Sequence, residues 1–357
     1  MDDVMAAVVM TGHGGPEMLE VRRDWPVPEP GPGQVRVRVT AAAVNNTDIW
    51  TREGAYGSPG DPDAVSGWLG PIACPRIQGG DVAGVVTALG EGSPQALLGR
   101  RVLVDPGLYP DASDNRPPTG FMGSEADGGF AEYVVVDADH AHDVTDSPLT
   151  DDQLACLPVA YGTATGMLDR AGVRSGERVL VTGASGGVGL ALVQLGAARG
   201  AEVVAVTSRA NEEEVRRAGA AHVLLRDAEE LAAQAAAVAP DGLDVVADVV
   251  GGPLIDALMP LLRDDGRWVI AGAVAGRVVR FDLRRLYLHN ISLIGSSMHT
   301  RAHFATLVEA ARAGVLAPRI AARFPLTALH EAQQAFASTR DAGKIVIQVS
   351  EAGASAS

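Results

Sequence analysis

The run Val179-Leu180-Val181-Thr182-Gly183-Ala184-Ser185-Gly186-Gly187-Val188-Gly189 decides how this 357-residue chain is read. An apolar, β-branched segment stops at Thr182, three glycines follow at fixed spacing, and helical periodicity begins with Leu190, Val193, Gln194 and Ala197. A pyrophosphate needs a tight turn, a backbone it can approach without meeting a Cβ, and unpaired N–H groups at a helix start. Gly183, Gly186 and Gly189 stand where those demands fall, and Gly187 removes one more side chain. Ala184, Ser185 and Val188 complete the loop. A glycine triplet alone is a weak signal, so its context carries the weight. Here the triplet opens a series of six predicted strands, at 178–182, 202–207, 222–226, 243–250, 267–271 and 291–295, with helical text between them. Such alternation specifies an α/β fold with a doubly wound parallel sheet that binds a dinucleotide.

The end of the second predicted strand chooses the dinucleotide. An NAD site usually carries Asp or Glu there, to accept from the ribose hydroxyls. This chain has Thr207-Ser208-Arg209, with no carboxylate to repel a 2′-phosphate and a guanidinium able to grip one. NADPH is therefore the expected cofactor, with Ser208 and Arg209 at its adenine ribose. Val250-Gly251, Ala271-Gly272-Ala273 and Ser296-Ser297-Met298 follow later strands, where small residues let a ligand lie close, and all eight are candidate cofactor contacts.

Outward from this region the text changes. Residues 1–150 read as short strands, such as Val35-Arg36-Val37-Arg38-Val39, separated by Gly and Pro turns. Pro26, Pro28, Pro30 and Pro32 mark an exposed connector. Residues 56–75 and 106–129 read as long loops of the kind that carry binding. A helix is expected over 151–171, and the strand-like Lys344-Ile345-Val346-Ile347 is expected to rejoin the first domain. The boundaries are thus 1–150, completed by 316–357, and 151–315. Forty-four acidic side chains against 29 basic ones give a net charge of −15, which argues against nucleic-acid or anionic-membrane partners. No apolar run is long enough to span a bilayer. Cys74 and Cys156 are too few for a disulfide framework or a cysteine-rich metal site, which fits a reducing cytosol.

The chain resembles the quinone-oxidoreductase branch of the medium-chain dehydrogenase/reductases. The likeness lies in Gly14-Gly15-Pro16-Glu17-Met18-Leu19, Val44-Asn45-Asn46-Thr47-Asp48, Gly79-Gly80-Asp81-Val82-Ala83-Gly84, Asp127-Gly128-Gly129-Phe130, Gly162-Thr163-Ala164, the phosphate loop and Gly343-Lys344-Ile345-Val346. It implies a GroES-like β-rich catalytic domain beside a Rossmann domain, the nicotinamide held between them, and a homodimer joined through the Rossmann sheets. Zinc-dependent relatives have Cys at the position of Asn45, His-Glu at Gly80-Asp81, and a third ligand near Ala160. No zinc is therefore expected, neither catalytic nor structural, because residues 106–129 lack the four cysteines of the structural lobe.

By the same resemblance Tyr56 falls where enoyl-thioester reductases keep a tyrosine, and three readings stay open for it: acid or oxyanion donor, wall of the site, or simple packing. Asn45 is read as a contact to substrate or ribose, or as a turn-capping amide. Asp48 is read as a loop brace or a proton-transfer group. Thr163 resembles a nicotinamide contact but also suits an N-cap. Lys344 matches a family lysine near the cofactor, or a strand-end ion pair. His140 and His142 are expected in a solvated turn. Without a Lewis acid, the favoured chemistry is hydride addition to a small-molecule quinone or α,β-unsaturated carbonyl, whose charge delocalises onto oxygen. An enoyl-thioester or secondary-metabolite ene-reductase is the alternative, although the acidic 57–75 loop disfavours anionic thioesters unless Arg52 or Arg76 compensates. A non-catalytic NADPH-binding scaffold is the alternative of another class.

Overall fold

A computed structural model describes residues 4–56, 67–68, 72–110, 116–226, 231–338 and 341–349. Most of the long loop expected over 56–75 lies outside the described residues. The chain forms two compact units. The first contains the described residues through Val159, with 300–338 and 344–349; the second contains 160–299 with 341–343. This division departs from the boundaries at 150 and 315 because the helix Arg301–Arg312 is tied to the first unit. Arg301 pairs with Asp139 at 2.9 Å, Arg312 pairs with Asp146 at 2.8 Å, and the Ser147 hydroxyl donates to the Ala311 carbonyl at 2.6 Å.

The second unit is built on one sheet of six parallel strands. Their order is His222–Leu225, Glu202–Thr207, Arg178–Val181, Leu243–Asp248, Leu262–Ile270 and Ser292–Gly295. All neighbouring pairs are parallel. The inner strands are buried on both faces, which is why Val179-Leu180-Val181 and Val203-Val204-Ala205-Val206 are unbroken apolar runs. Leu180, Val204, Val246, Ile255, Leu258 and Trp268 form the core beneath one face. The strand order reverses between Arg178–Val181 and Leu243–Asp248. The crevice at the carboxyl ends of those strands is where ligands collect in such sheets.

The first unit centres on the strand Gln34–Ala43, which pairs antiparallel with Asp81–Leu89, Tyr133–Asp137 and Lys344–Gln348. Val35, Val37 and Val39 face the core while 34, 36 and 38 stay half-exposed, the period of two expected of a half-buried strand. Lys344–Gln348 also pairs in parallel with Ile320–Pro325, so the C-terminal text completes this sheet. The proline-rich connector runs from the end of Leu19–Pro26 to Gln34. The helix expected over 151–171 is two helices, Asp151–Leu154 and Pro158–Arg170. Pro158 opens the second, where its missing N–H costs nothing. No helix among the described residues is long and apolar enough to cross a membrane.

Leu180→Ala should lower the unfolding free energy of the second unit by about 2–5 kcal/mol, the usual cost of emptying a fully buried leucine site. Urea denaturation followed by tryptophan fluorescence measures it.

Candidate active site

The phosphate loop has the shape its sequence demands. Gly183 takes φ +57°, a left-handed conformation, and the Gly186 N–H donates back to its carbonyl at 3.0 Å. A Cβ on Gly189 would stand 2.1 Å from the Gly183 carbonyl oxygen, so glycine is needed for the helix Gly187–Ala198 to approach the strand. Gly186 differs. It is exposed, its φ is ordinary, and a Cβ there would touch only the Gly183 oxygen at 3.5 Å. The protein's own packing makes no demand for glycine at 186. The helix behind it has no acidic residue in its first turn, leaving the N-terminal dipole free for an anion.

Around this loop the other expected cofactor residues fall into place unevenly. Ser208 is buried and Arg209 is exposed at the end of Glu202–Thr207, and Arg209 pairs with no carboxylate among the described residues. Val250, Gly251, Ala271, Gly272 and Ala273 sit half-buried at neighbouring strand ends. Ser296 and Met298 are buried and bound by Arg170, whose guanidinium donates to the Ser296 hydroxyl at 3.0 Å and the Met298 carbonyl at 2.6 Å; Ser297 is exposed. Thr163 lies inside Pro158–Arg170, so the N-cap reading does not apply. Its neighbour Gly162 is required by His299, whose ring would lie 2.2 Å from a Cβ.

In the first unit a buried polar cluster forms where Asn45, Asp81 and Lys344 meet. The Lys344 ammonium has three hydrogens and three acceptors: Val44 O at 2.8 Å, Asn45 Oδ1 at 2.5 Å and Asp81 Oδ2 at 2.8 Å. The Asn45 amide donates to Asp81 Oδ2 at 2.9 Å and Ala43 O at 3.3 Å, which uses both its hydrogens. Asp81 Oδ1 accepts from the Val159 N–H at 2.8 Å. Lys344 therefore makes the strand-end ion pair that was one of its two readings. Asn45 has no hydrogen left for a substrate in this arrangement. It is the N-cap of the helix Asn46–Glu53, and its own N–H donates to the Asp48 carboxyl at 2.8 Å. Burial pushes the Asp48 carboxyl up to about 7, only partly offset by that backbone bond and by Lys344. Gln78, fully buried, donates to the Asp48 carbonyl at 2.7 Å.

Tyr56 lies just past this helix. Its hydroxyl donates to Thr47 Oγ1 at 2.8 Å, its ring meets Trp50 edge-on, and burial raises its pKa to about 12. A phenol held this way stays protonated and is a hydrogen-bond donor rather than a ready acid. Cys156 lies near the cluster, but burial pushes its thiol up to about 12 and it donates to the Asp152 carbonyl. The histidine pair is not solvated as the sequence suggested. His140 is buried beside Tyr109 and Arg301, and His142 is half-buried against Phe304, because the helix Arg301–Arg312 covers them. Ligand atoms of Asp137, Asp139 and His140, one from each, lie within 4.8 Å of one another, yet the Arg301 guanidinium pairs with Asp139 and reaches His140, so an organic cation already serves two of the three.

Comparison with known proteins agrees with this layout. Residues 31–146 match the family described as "Alcohol dehydrogenase GroES-like domain", and residues 187–313 match "Zinc-binding dehydrogenase". A solved structure of a putative alcohol dehydrogenase from Sinorhizobium meliloti 1021 is 45% identical, with a TM-score of 0.93 over 98% of this chain and 97% of that one. The chain belongs to the medium-chain dehydrogenase/reductase superfamily, quinone oxidoreductase-like. Its curated relatives include the quinone oxidoreductase of Homo sapiens, 28% identical over 93% of each chain. The acryloyl-coenzyme A reductase of Metallosphaera sedula is also 28% identical, over 96% of this chain and 99% of that one. Members of this superfamily bind a nicotinamide cofactor, and its known relatives are oxidoreductases.

Sequence reading did not single out the buried hydrogen bonds of Asp81, Gln78, Arg170 and Asp248. Two of them had a legible signal. Asp81 opens an apolar strand and Asp248 closes one, and a carboxylate inside a buried run must be bonded to something. Gln78 and Arg170 had none, since their partners are distant in sequence.

The raised Asp48 pKa has a definite sign. The folded chain holds this proton up to about pH 7, while the unfolded chain releases it near the ordinary carboxyl value of 3.8. Stability from this group therefore falls as pH rises from about 4 to 7 and is level above that. Asp48→Asn should flatten that slope, which thermal melts at pH 5, 6, 7 and 8 would measure.

Proposed function

We propose that this chain is an NADPH-dependent, zinc-independent reductase that adds hydride to a quinone or to the C=C of an α,β-unsaturated carbonyl. The observation that carries the reading is the closed Lys344–Asp81–Asn45 cluster. Catalytic zinc takes thiolate, imidazole and carboxylate ligands and keeps one position open. The corresponding positions here hold an amide with both hydrogens spent, a carboxylate, and an ammonium 2.8 Å from it; Ala160 has no donor. This donor set does not fit the metal. A carbonyl–alcohol reaction would then lack its usual stabiliser of alkoxide charge, whereas conjugate reduction spreads that charge and needs only hydrogen-bond donors.

Bound NADPH would supply the hydride. The exposed Gly186 and the open first turn of Gly187–Ala198 fit its pyrophosphate, and Arg209 fits its 2′-phosphate. The Tyr56 hydroxyl stays protonated throughout the physiological range, and by turning its one hydrogen from Thr47 Oγ1 to the acceptor's oxygen it would serve as the donor. The names of the human and Metallosphaera sedula relatives support quinone and enoyl acceptors in turn. Between these, the residues favour an uncharged acceptor over a coenzyme A thioester. Arg52 is buried and donates to Gly14 O and Gln333 Oε1, and Arg76 pairs with Asp127, so both cations that would greet an anionic thioester are engaged. The two free thiols fit a reducing cytosol.

A homodimer through the second unit is part of this reading. Ser292–Gly295 is the last strand of its sheet, with one edge unpaired among the described residues, and Leu293 is exposed on it. Val278, Leu283, Tyr287 and Leu288 are exposed apolar side chains in the segment leading into that strand. A second copy pairing along that edge would cover such a surface.

Purified protein should oxidise NADPH, followed at 340 nm, with a quinone or enone, and much less with NADH. Arg209→Asp should reduce the preference for NADPH over NADH by about tenfold, the scale of one charge-assisted phosphate contact. NADPH binding with no turnover against quinones, enones and enoyl thioesters would instead favour a non-catalytic scaffold. For the assembly, Leu293→Asp should convert a dimer to a monomer in light scattering; a wild-type monomer would refute the interface.

A further inference from the structure

We infer that Asp248 is the positioning residue of the cofactor site, a buried carboxylate that holds the phosphate loop and the next strand-end loop in one register. The inference rests on the nicotinamide-cofactor reading. Asp248 ends the strand Leu243–Asp248 and is fully buried. Its Oδ1 accepts from the Thr182 hydroxyl at 2.6 Å, from the Val250 N–H at 2.9 Å and from the Gly251 N–H at 3.0 Å. Its Oδ2 accepts from the indole N–H of Trp268 at 3.3 Å, itself fully buried on the neighbouring strand.

These bonds reach past strand-end accounting. Thr182 immediately precedes Gly183, and its hydroxyl also accepts from the Val249 N–H at 3.0 Å. The carboxylate thus fixes the entrance of the phosphate loop and the start of the Val249–Gly252 turn through a single hydroxyl. The two loops touch at the same place: a Cβ on Gly183 would stand 3.0 Å from Val250 Cγ2 and 3.1 Å from Val249 Cγ2. Gly251 and Gly252 both take left-handed φ values, +66° and +62°, a turn that the paired N–H bonds to Asp248 hold. From there the order passes outward, since the Val250 carbonyl accepts from Ala275 N–H at 2.9 Å and the Gly252 N–H donates to Gly276 O at 3.0 Å. The Asp248 carbonyl accepts from the Ala271 N–H at 3.0 Å. The loops that follow Arg178–Val181 and Leu243–Asp248 are therefore both bonded to this one side chain, and the loop after Leu262–Ile270 joins them through main-chain bonds to Asp248, Val250 and Gly252.

A buried acceptor of four donors cannot be replaced without stranding some of them. Asparagine keeps one oxygen but turns an N–H toward a donor. Thr182→Val keeps the shape and removes the hydroxyl that joins the loops, and Thr182→Ser restores it. The test measures dissociation constants by calorimetry for NADPH and for adenosine 2′-monophosphate, which carries the 2′-phosphate without the pyrophosphate. Asp248→Asn and Thr182→Val should each weaken NADPH by about tenfold. Binding of the monophosphate should stay within about twofold of wild type, and Thr182→Ser should recover most of the NADPH affinity. A purely structural role predicts a lower melting temperature with NADPH affinity unchanged in the folded protein, or an equal loss for both ligands, and either result overturns the inference. Failure of the wild-type protein to bind NADPH would overturn the cofactor reading itself, a result distinct from any variant effect.

Discussion

Burying an ammonium in a protein is tolerable only if every hydrogen on it finds an acceptor and its charge finds a partner. Lys344 meets both conditions, and much of the first unit is arranged so that it can. Its acceptors come from the end of the strand Gln34–Ala43 and from the start of Asp81–Leu89, while the lysine itself begins the C-terminal strand. Three segments far apart in sequence are thereby joined at one point, and the Val159 N–H is added through the far oxygen of Asp81. Removing Asp81 or Lys344 would leave the other's charge uncompensated in the interior, typically a loss of about 3–5 kcal/mol.

That constraint also governs chemistry. The ammonium at the centre of the cluster engages both the Asn45 amide oxygen and the Asp81 carboxylate. The helix Asn46–Glu53 inherits its starting point from the same cluster, because Asn45 is both its N-cap and a ligand of the ammonium. Asp48, Tyr56 and Thr47 are then positioned by that helix. In the second unit Asp248 plays a comparable part for anionic charge, with four neutral donors instead of an ion pair. Each unit thus holds a fully bonded buried charged group that joins segments distant in sequence.

The comparison between residues and structure is sharpest at Asn45 and Lys344. As text, Asn45 stands in a loop motif and reads equally as a substrate contact or a capping amide, while Lys344 reads as a cofactor contact or a strand-end ion pair. Each is answered by the other, at 2.5 Å, across nearly the whole length of the chain. Periodicity carries no information about such a meeting. The histidine pair shows the same limit: His140 and His142 read as a polar turn because Arg301, Tyr109 and Phe304, which enclose them, come from other segments.

What the sequence by itself determined is what local physics dictates. Apolar runs of strand length, helical spacing between them, and glycines at positions where a Cβ would strike backbone were enough for the six-stranded parallel sheet and its phosphate loop. The strand order, the adherence of Arg301–Arg312 to the first unit, and the pairing of buried charges were decided only in the tertiary structure. The reason is that a turn or a helix is selected by neighbours a few residues away, whereas a buried charge is selected by whichever distant groups must satisfy it once water is gone.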